Sequence, residues 1–319
     1  MNFEELANKR LDAGWQAIQS ASERLFTKRA ELIALLTRQY EHLELTDRKL
    51  YHYSPQLALR LTSSGLVDSS LLFEPPRIPD HREGLEHGLR VLLTWLVEQE
   101  RMVEAQRWAE LSRTVLERSS SIDYLDRGAQ GSIFCVGDSS SRYYLNLQIL
   151  PRTERLKLLA ELGGEALYQR VTPFTEQSKI RLGGLGLTLS GDKPRLKLYL
   201  RGKFASLKTV SQDLEDGITL EVLEAFDSSG FIRDSMQAEI AVEEDHRGGL
   251  RTKWVFFVDD PKLASATCQQ WLSRVGSKNP VHEISDILGG PASLFALGAG
   301  IAEGDRQLER VNIYVRPAR

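Results

Sequence analysis

Seven residues, Arg195-Leu196-Lys197-Leu198-Tyr199-Leu200-Arg201, alternate strictly between polar, mostly cationic side chains and leucine. A strand turns successive side chains to opposite faces, so this segment carries one apolar surface and one positive one. The leucine face can pack on helices. The row of Arg, Lys, Tyr and Arg repels itself unless water or an anion lies against it. Taken alone, such a segment reads as a solvent-exposed surface strand. What constrains the fold is that the pattern recurs.

Leu6, Leu11, Trp15, Ile18 and Leu25 fall near helical spacing and predict an N-terminal helix over 2–42. From Ser54 the period changes to two, and hairpins are predicted at about 55–73, 131–149, 182–201, 234–258 and 293–316. Helices are predicted between them, at about 82–102, 103–119, 152–171, 204–227 and 261–274, with a shorter one near 281–288. In the first hairpin Leu57, Leu59 and Leu61 oppose Gln56, Ala58 and Arg60. In the second, Tyr143, Leu145 and Leu147 alternate with Arg142, Tyr144 and Asn146. The third places Gly184, Gly186 and Thr188 opposite leucines, a nearly bare face that predicts room for a ligand. In the fourth, Glu239 and Lys253 stand on the faces opposite Ile240 and Trp254. The last strand, Arg310-Val311-Asn312-Ile313-Tyr314-Val315-Arg316, nearly copies the opening one.

Helix-preceded hairpins recurring in this way form a repeat architecture. Antiparallel strands with one apolar face each can close into a barrel that has no edges. The amphipathic helices must cover the leucine faces from outside, so the polar faces point inward. The predicted fold class is therefore α+β: a ten-stranded antiparallel β-barrel of five repeated ααββ units with a ring of helices outside, as a single domain over 1–319. Ten strands enclose more space than their side chains fill, and a ligand chamber is expected.

Composition says what that chamber holds. A net charge of −3 argues against a nucleic-acid binder, so the cationic strand faces are local and suit a small anion. The two cysteines, Cys135 and Cys268, have no ligand or framework spacing and fit a reducing cytoplasm. The acidic N-terminus predicts no signal peptide, and no apolar run predicts a membrane span. A monomer is expected.

Inward-facing Arg60, Arg142, Lys197, Arg201, Lys253 and Arg316, with Asn312, form a cationic lining. Like charges crowded in a cavity call for an anion, and guanidinium and ammonium groups give a diphosphate charge-assisted hydrogen bonds. Tyr144, Tyr199 and Tyr314 stand among them, and ring faces stabilise a neighbouring carbocation. Diphosphate beside a shielded cation is the chemistry of prenyl transfer.

This plan, with its Lys/Tyr/Arg alternation on inner strand faces, resembles the ABBA-type aromatic prenyltransferases, and among them the cyanobactin peptide prenyltransferases. Leu196-Lys197 with Arg201 carries the inner-strand motif of the latter, and the resemblance covers about residue 54 to the C-terminus. It implies transfer from dimethylallyl diphosphate, with Mg2+ at the diphosphate, to a side chain of a cyclic or linear ribosomal peptide. It also implies that the basic and tyrosine residues named above bind the diphosphate and screen the cation. Tyrosine-prenylating members carry a glutamate on the first strand, where this chain has Gln56. A neutral amide cannot serve as the general base that a carboxylate can, so Glu239 is the substitute candidate, and pairing with a neighbouring Arg is the alternative role for it.

Other motifs carry less. Asp259-Asp260-Pro261 lacks the rest of a DDxxD motif, the six histidines form no ligand cluster, and Gly183-Gly184-Leu185-Gly186 opens no helix. Two alternatives to peptide prenylation remain open: a non-catalytic barrel that binds an anionic isoprenoid or lipid, and a prenyltransferase acting on a small aromatic metabolite.

Overall fold

In the computed structural model, the described residues are 31–38 in part, 56–73, 81–119, 132–137, 140–147, 150–177, 180–189, 194–213, 217–225, 227–244, 250–276, 292–301 and 308–317. Most of the predicted N-terminal helix, and the helix near 281–288, lie outside them.

Ten strands close into one barrel. In chain order these are β1 (Gln56–Thr62), β2 (Gly65–Phe73), β3 (Ser132–Gly137), β4 (Ser141–Leu145), β5 (Arg181–Leu189), β6 (Pro194–Lys203), β7 (Gln237–Glu244), β8 (Leu250–Phe257), β9 (Ala292–Ile301) and β10 (Leu308–Pro317). Each pairs antiparallel with its sequence neighbours, and β1 pairs with β10 to close the ring. Consequently β4, β6, β8 and β10 all run in the same direction.

Strand parity decides which side chains meet helices. Leu185, Leu187, Leu198, Leu200, Ile240, Trp254 and Leu297 are fully buried in the outer apolar layer. Helices α1 (His81–Glu98), α2 (Met102–Ser119), α3 (Arg152–Glu161), α4 (Glu165–Gln177), α5 (Phe204–Asp213), α6 (Gly217–Ala225) and α7 (Pro261–Val275) complete that layer. For example, α5 packs on β6 and β7, and α7 on β9, β10 and β1. Among the described residues no helix is long and apolar enough to cross a membrane.

Several predicted spans are corrected. The helix expected over 152–171 is two helices, because Gly163 adopts φ 74°, where a residue with Cβ is strained, and the turn sends Gly164 N–H back to the Leu159 carbonyl at 2.7 Å. The helix expected over 204–227 is likewise divided into α5 and α6. β4 stops at Leu145 rather than continuing to 149. Asp260 is the N-cap of α7, its Oδ1 accepting from Lys262 and Leu263 N–H at 3.0 and 3.2 Å, and Asp259 pairs with Arg233 at 2.5 Å.

Candidate active site

Because the even strands share a direction, their inward residues fall into layers along the barrel. Arg142 precedes Tyr144 on β4. On β6 the order is Arg195, Lys197, Tyr199, Arg201; on β8, Arg251, Lys253, Val255, Phe257; on β10, Arg310, Asn312, Tyr314. One end of the lumen is therefore cationic, a tyrosine layer follows about two residues on, roughly 6–7 Å along the strands, and Arg201 with Phe257 lies beyond it. Arg60 joins the cationic end through its register with Asn312.

Lys253 is the centre of the cationic layer. Its ammonium donates to the Tyr314 hydroxyl at 2.6 Å and lies 5.1 Å from the centroid of that ring. Burial first, and then the charges of Arg310, Lys197, Arg142 and Arg60, hold it well below the ordinary lysine value of 10.5. Asn312 is only 6 % exposed, and its Nδ2 has no hydrogen-bond partner, as has the buried Nε of Arg310. Donors stranded in this way are costly until an acceptor arrives. Arg310 was missed as a site residue from the sequence, although its alternation with Asn312 and Tyr314 was visible there.

The β6 cations have fixed partners. Lys197 pairs with Glu243 at 2.6 Å and Arg201 with Glu239 at 2.5 Å, each across the β6–β7 register. Although burial raises the Glu243 carboxyl, Lys197, Arg310 and Arg195 overcome it and leave the group below its ordinary range. Glu243, the second to last residue of β7, is likewise absent from the residues singled out by sequence. Glu239 pairs with an arginine, the alternative role considered for it, and burial raises its carboxyl against the pull of Arg201 and Lys253. Arg195, the second residue of β6, is exposed.

Two of the three tyrosines are in ring contact, and the third, Tyr314, packs against Phe295. Tyr144 and Tyr199 meet edge to face at 5.8 Å between centroids, and burial pushes the hydroxyls of both, and of Tyr314, upward. The glycine faces do not supply empty room, which corrects the sequence expectation. A Cβ at Gly186 would stand 2.9 Å from Tyr199 Cε2 and 3.4 Å from Tyr144 Cδ1. A Cβ at Gly298 would stand 3.1 Å from Lys253 Cε. Glycine on the middle strand is what lets side chains from the two flanking strands touch: Tyr144 and Tyr199 across β5, Lys253 and Tyr314 across β9. Gly184, close to the Leu145 carbonyl, adds no pocket of its own.

Gln56 is the first residue of β1, opposite Leu72, and Arg316 is opposite Ser293; the side chains of both lie outside the described residues. Among the described residues no group of three His, Cys, Asp or Glu could hold a metal, and Glu239 and Glu243 are engaged by Arg201 and Lys197. This donor set does not fit a protein-held Mg2+.

By sequence, no protein-family model and no curated protein matches the chain. Solved structures do match. The 6-dimethylallyltryptophan synthase of Micromonospora olivasterospora, in complex with DMASPP and Trp, superposes with a TM-score of 0.65 at 14% identity over 99% of this chain and 97% of that one. The chain has the ABBA prenyltransferase fold. The 5-dimethylallyl tryptophan synthase of Streptomyces coelicolor has the same barrel at a TM-score of 0.63, 13% identity and coverage of 98% and 94%. The NotF prenyltransferase matches at a TM-score of 0.62, 10% identity and coverage of 98% and 95%, and a further NotF structure holds brevianamide F and DMSPP. In this ABBA barrel the tyrosine belt and, apart from Arg60 on β1, the cationic layer are built on the even strands, from residues whose outward neighbours anchor the helices.

Proposed function

We propose that the protein transfers a dimethylallyl group from its diphosphate to an aromatic acceptor through a shielded allylic cation. The observation that carries this reading is the adjacency of two layers: Lys253, Arg310, Asn312, Arg142 and Arg60 at one level, and Tyr144, Tyr199 and Tyr314 beside them. In the proposed reaction the carbon–oxygen bond of the donor breaks, and the diphosphate leaves with the electron pair into the cationic layer. The allylic carbon then faces the tyrosine rings, whose negative faces stabilise it and whose packing excludes water. An acceptor carbon bonds to it and passes its proton to the released diphosphate or to water. Complexes of the fold's other members with Trp and with brevianamide F support an indole-type acceptor.

Lys253 and Arg310 take the diphosphate in this reading, more than Lys197 and Arg201, which Glu243 and Glu239 already neutralise. By backbone position, Arg201, Glu239, Gln56 and Arg316 all fall toward the opposite, acceptor end. The Mg2+ implied by the family resemblance would be carried by the diphosphate itself, since among the described residues no group of three His, Cys, Asp or Glu could hold it. The macrocyclic ribosomal peptide implied by the family resemblance is the alternative acceptor that the following panel tests.

The test is a panel. The purified protein is incubated with dimethylallyl diphosphate, with and without Mg2+, and with tryptophan, a tryptophan cyclic dipeptide and Trp-, Tyr-, Arg- and His-containing macrocycles. A product heavier by one C5H8 unit is expected with an indole acceptor. No adduct with any acceptor, from either dimethylallyl or geranyl diphosphate, leaves only the non-catalytic binding barrel.

A further inference from the structure

Beyond the tyrosine layer, at the end away from the diphosphate-binding cations, Glu239 and Phe257 hold one guanidinium between them. Arg201 donates through Nε and NH2 to Glu239 Oε1 at 2.6 and 2.5 Å, and its guanidinium carbon lies 4.9 Å from the centroid of the Phe257 ring. The two partners differ in depth. The Glu239 side chain is 12% exposed, whereas that of Arg201 is 50% exposed. The carboxylate and the ring belong to the wall, then, and the cation between them reaches in from solvent. A carboxylate facing an aromatic ring is a cation site. Glu243, the other described carboxylate of β7 with a lysine or arginine partner, has no such arrangement, since its partner Lys197 is largely buried with it.

We propose that Glu239 and Phe257 form a recognition subsite for a positively charged group on the acceptor, with Arg201 as an internal placeholder that such a group displaces. This rests on the prenyltransferase reading and names its substrate class: aromatic acceptors bearing an ammonium or guanidinium. The exchange is isosteric in charge, so the buried carboxylate is never left unpaired. The half-exposed Arg201 side chain returns to water, where its solvation is regained. Displacement also turns Arg201 away from Phe257, opening that ring to the acceptor. Gly183 assists, since its missing side chain leaves the Arg201 Cβ at 3.2 Å from where a Cβ would stand, with Glu239 Oε1 at 3.7 Å.

The test uses binding, so its outcome is separate from turnover. Tryptamine and 3-propylindole are alike in shape and differ in charge; each is titrated by calorimetry into the full-length protein loaded with a thiolodiphosphate analogue of the donor. Tryptamine is expected to bind about tenfold more tightly. Glu239→Gln should level the two, and Arg201→Gln should tighten tryptamine further by removing its competitor. Phe257→Leu, which retains apolar volume, should weaken tryptamine and supplies the same answer if Glu239→Gln fails to fold. Equal affinities in the wild type, or a preference that survives both Glu239→Gln and Phe257→Leu, would overturn the subsite. Charge-selective binding without any prenyl product would retain the subsite and remove the transferase reading; transfer to both indoles without charge preference would do the reverse.

Discussion

Lys253 on β8 donates to the hydroxyl of Tyr314 on β10 at 2.6 Å, passing over the bare backbone of Gly298 on the strand between them. A buried ammonium is thereby fixed at the boundary between cationic layer and tyrosine belt, where a leaving diphosphate would need it. The same placement is unfavourable without an anion, because the charges of Arg310, Lys197, Arg142 and Arg60 all act against it.

Function and stability should therefore separate at this residue. Lys253→Met removes one of several like charges from a buried cluster, a change that is often neutral or stabilising. The melting temperature of the ligand-free protein is expected to stay level or rise, while the affinity for dimethylallyl diphosphate falls about tenfold or more. Parallel loss of both, by scanning calorimetry and titration, would place Lys253 in the structural core instead.

Proton linkage gives an independent handle. With its folded value lowered below 10.5, Lys253 binds fewer protons in the ligand-free fold than in the unfolded chain between those two values. Ligand-free stability should accordingly rise with pH through that window. Bound diphosphate favours the ammonium and raises the value again, so binding should take up a proton on the alkaline side. Calorimetry of inorganic diphosphate in two buffers of different ionisation enthalpy measures this; identical heats would contradict it.

The tyrosine belt depends on Gly186. An added methyl there would stand only 2.9 Å from Tyr199 Cε2, so Gly186→Ala must move the ring, since the strand backbone cannot yield. Water then reaches the allylic cation. The ratio of dimethylallyl alcohol to alkylated acceptor should rise severalfold, whereas Tyr199→Phe, which retains the ring, should leave it near the wild-type value. An unchanged ratio in Gly186→Ala would show that the belt does not shield.

Outside the barrel, a polar network ties α2 to the second hairpin. Trp108 Nε1 donates to Ser141 Oγ at 2.6 Å, Ser141 Oγ donates to Glu104 at 3.2 Å, and Arg101, paired with Glu104, donates to the Gly137 carbonyl at 2.7 Å. Glu104→Ala leaves Ser141 without its acceptor and Arg101 with only the Gly137 carbonyl, and should cost about 2–3 kcal/mol in denaturant unfolding. The KM for the donor should not move, because none of these side chains enters the lumen; a changed KM would mean that the hairpin is set by this network.

Much of this was legible because strand parity is local. The alternation from Arg195 to Arg201 and from Arg310 to Arg316 is enough to separate inner from outer faces, and the need to cover leucines then orients the barrel. The layering on the even strands was equally open to reading, since Arg-x-Tyr on β4 and Lys-x-Tyr on β6 have the same order. What could not be read was cross-strand register. That Glu243 faces Lys197, and Glu239 faces Arg201, depends on how β6 pairs with β7, which no residue of either strand determines alone. The glycine face misled for the same reason: Gly186 looked like space until the neighbouring strand brought Tyr199 over it. Gly163 ended a helix that periodicity alone had carried on to Val171.

The central claim is that the cationic layer receives a diphosphate while the tyrosine belt passes its allyl group to an acceptor. The most direct measurement follows both products together: diphosphate release and prenylated indole, in one reaction with dimethylallyl diphosphate and a saturating indole acceptor. The account predicts that the two rise in equal amounts in the wild-type protein and fall together in Arg310→Ala. Donor binding without release of diphosphate, or release with no bond formed to any acceptor, would contradict it.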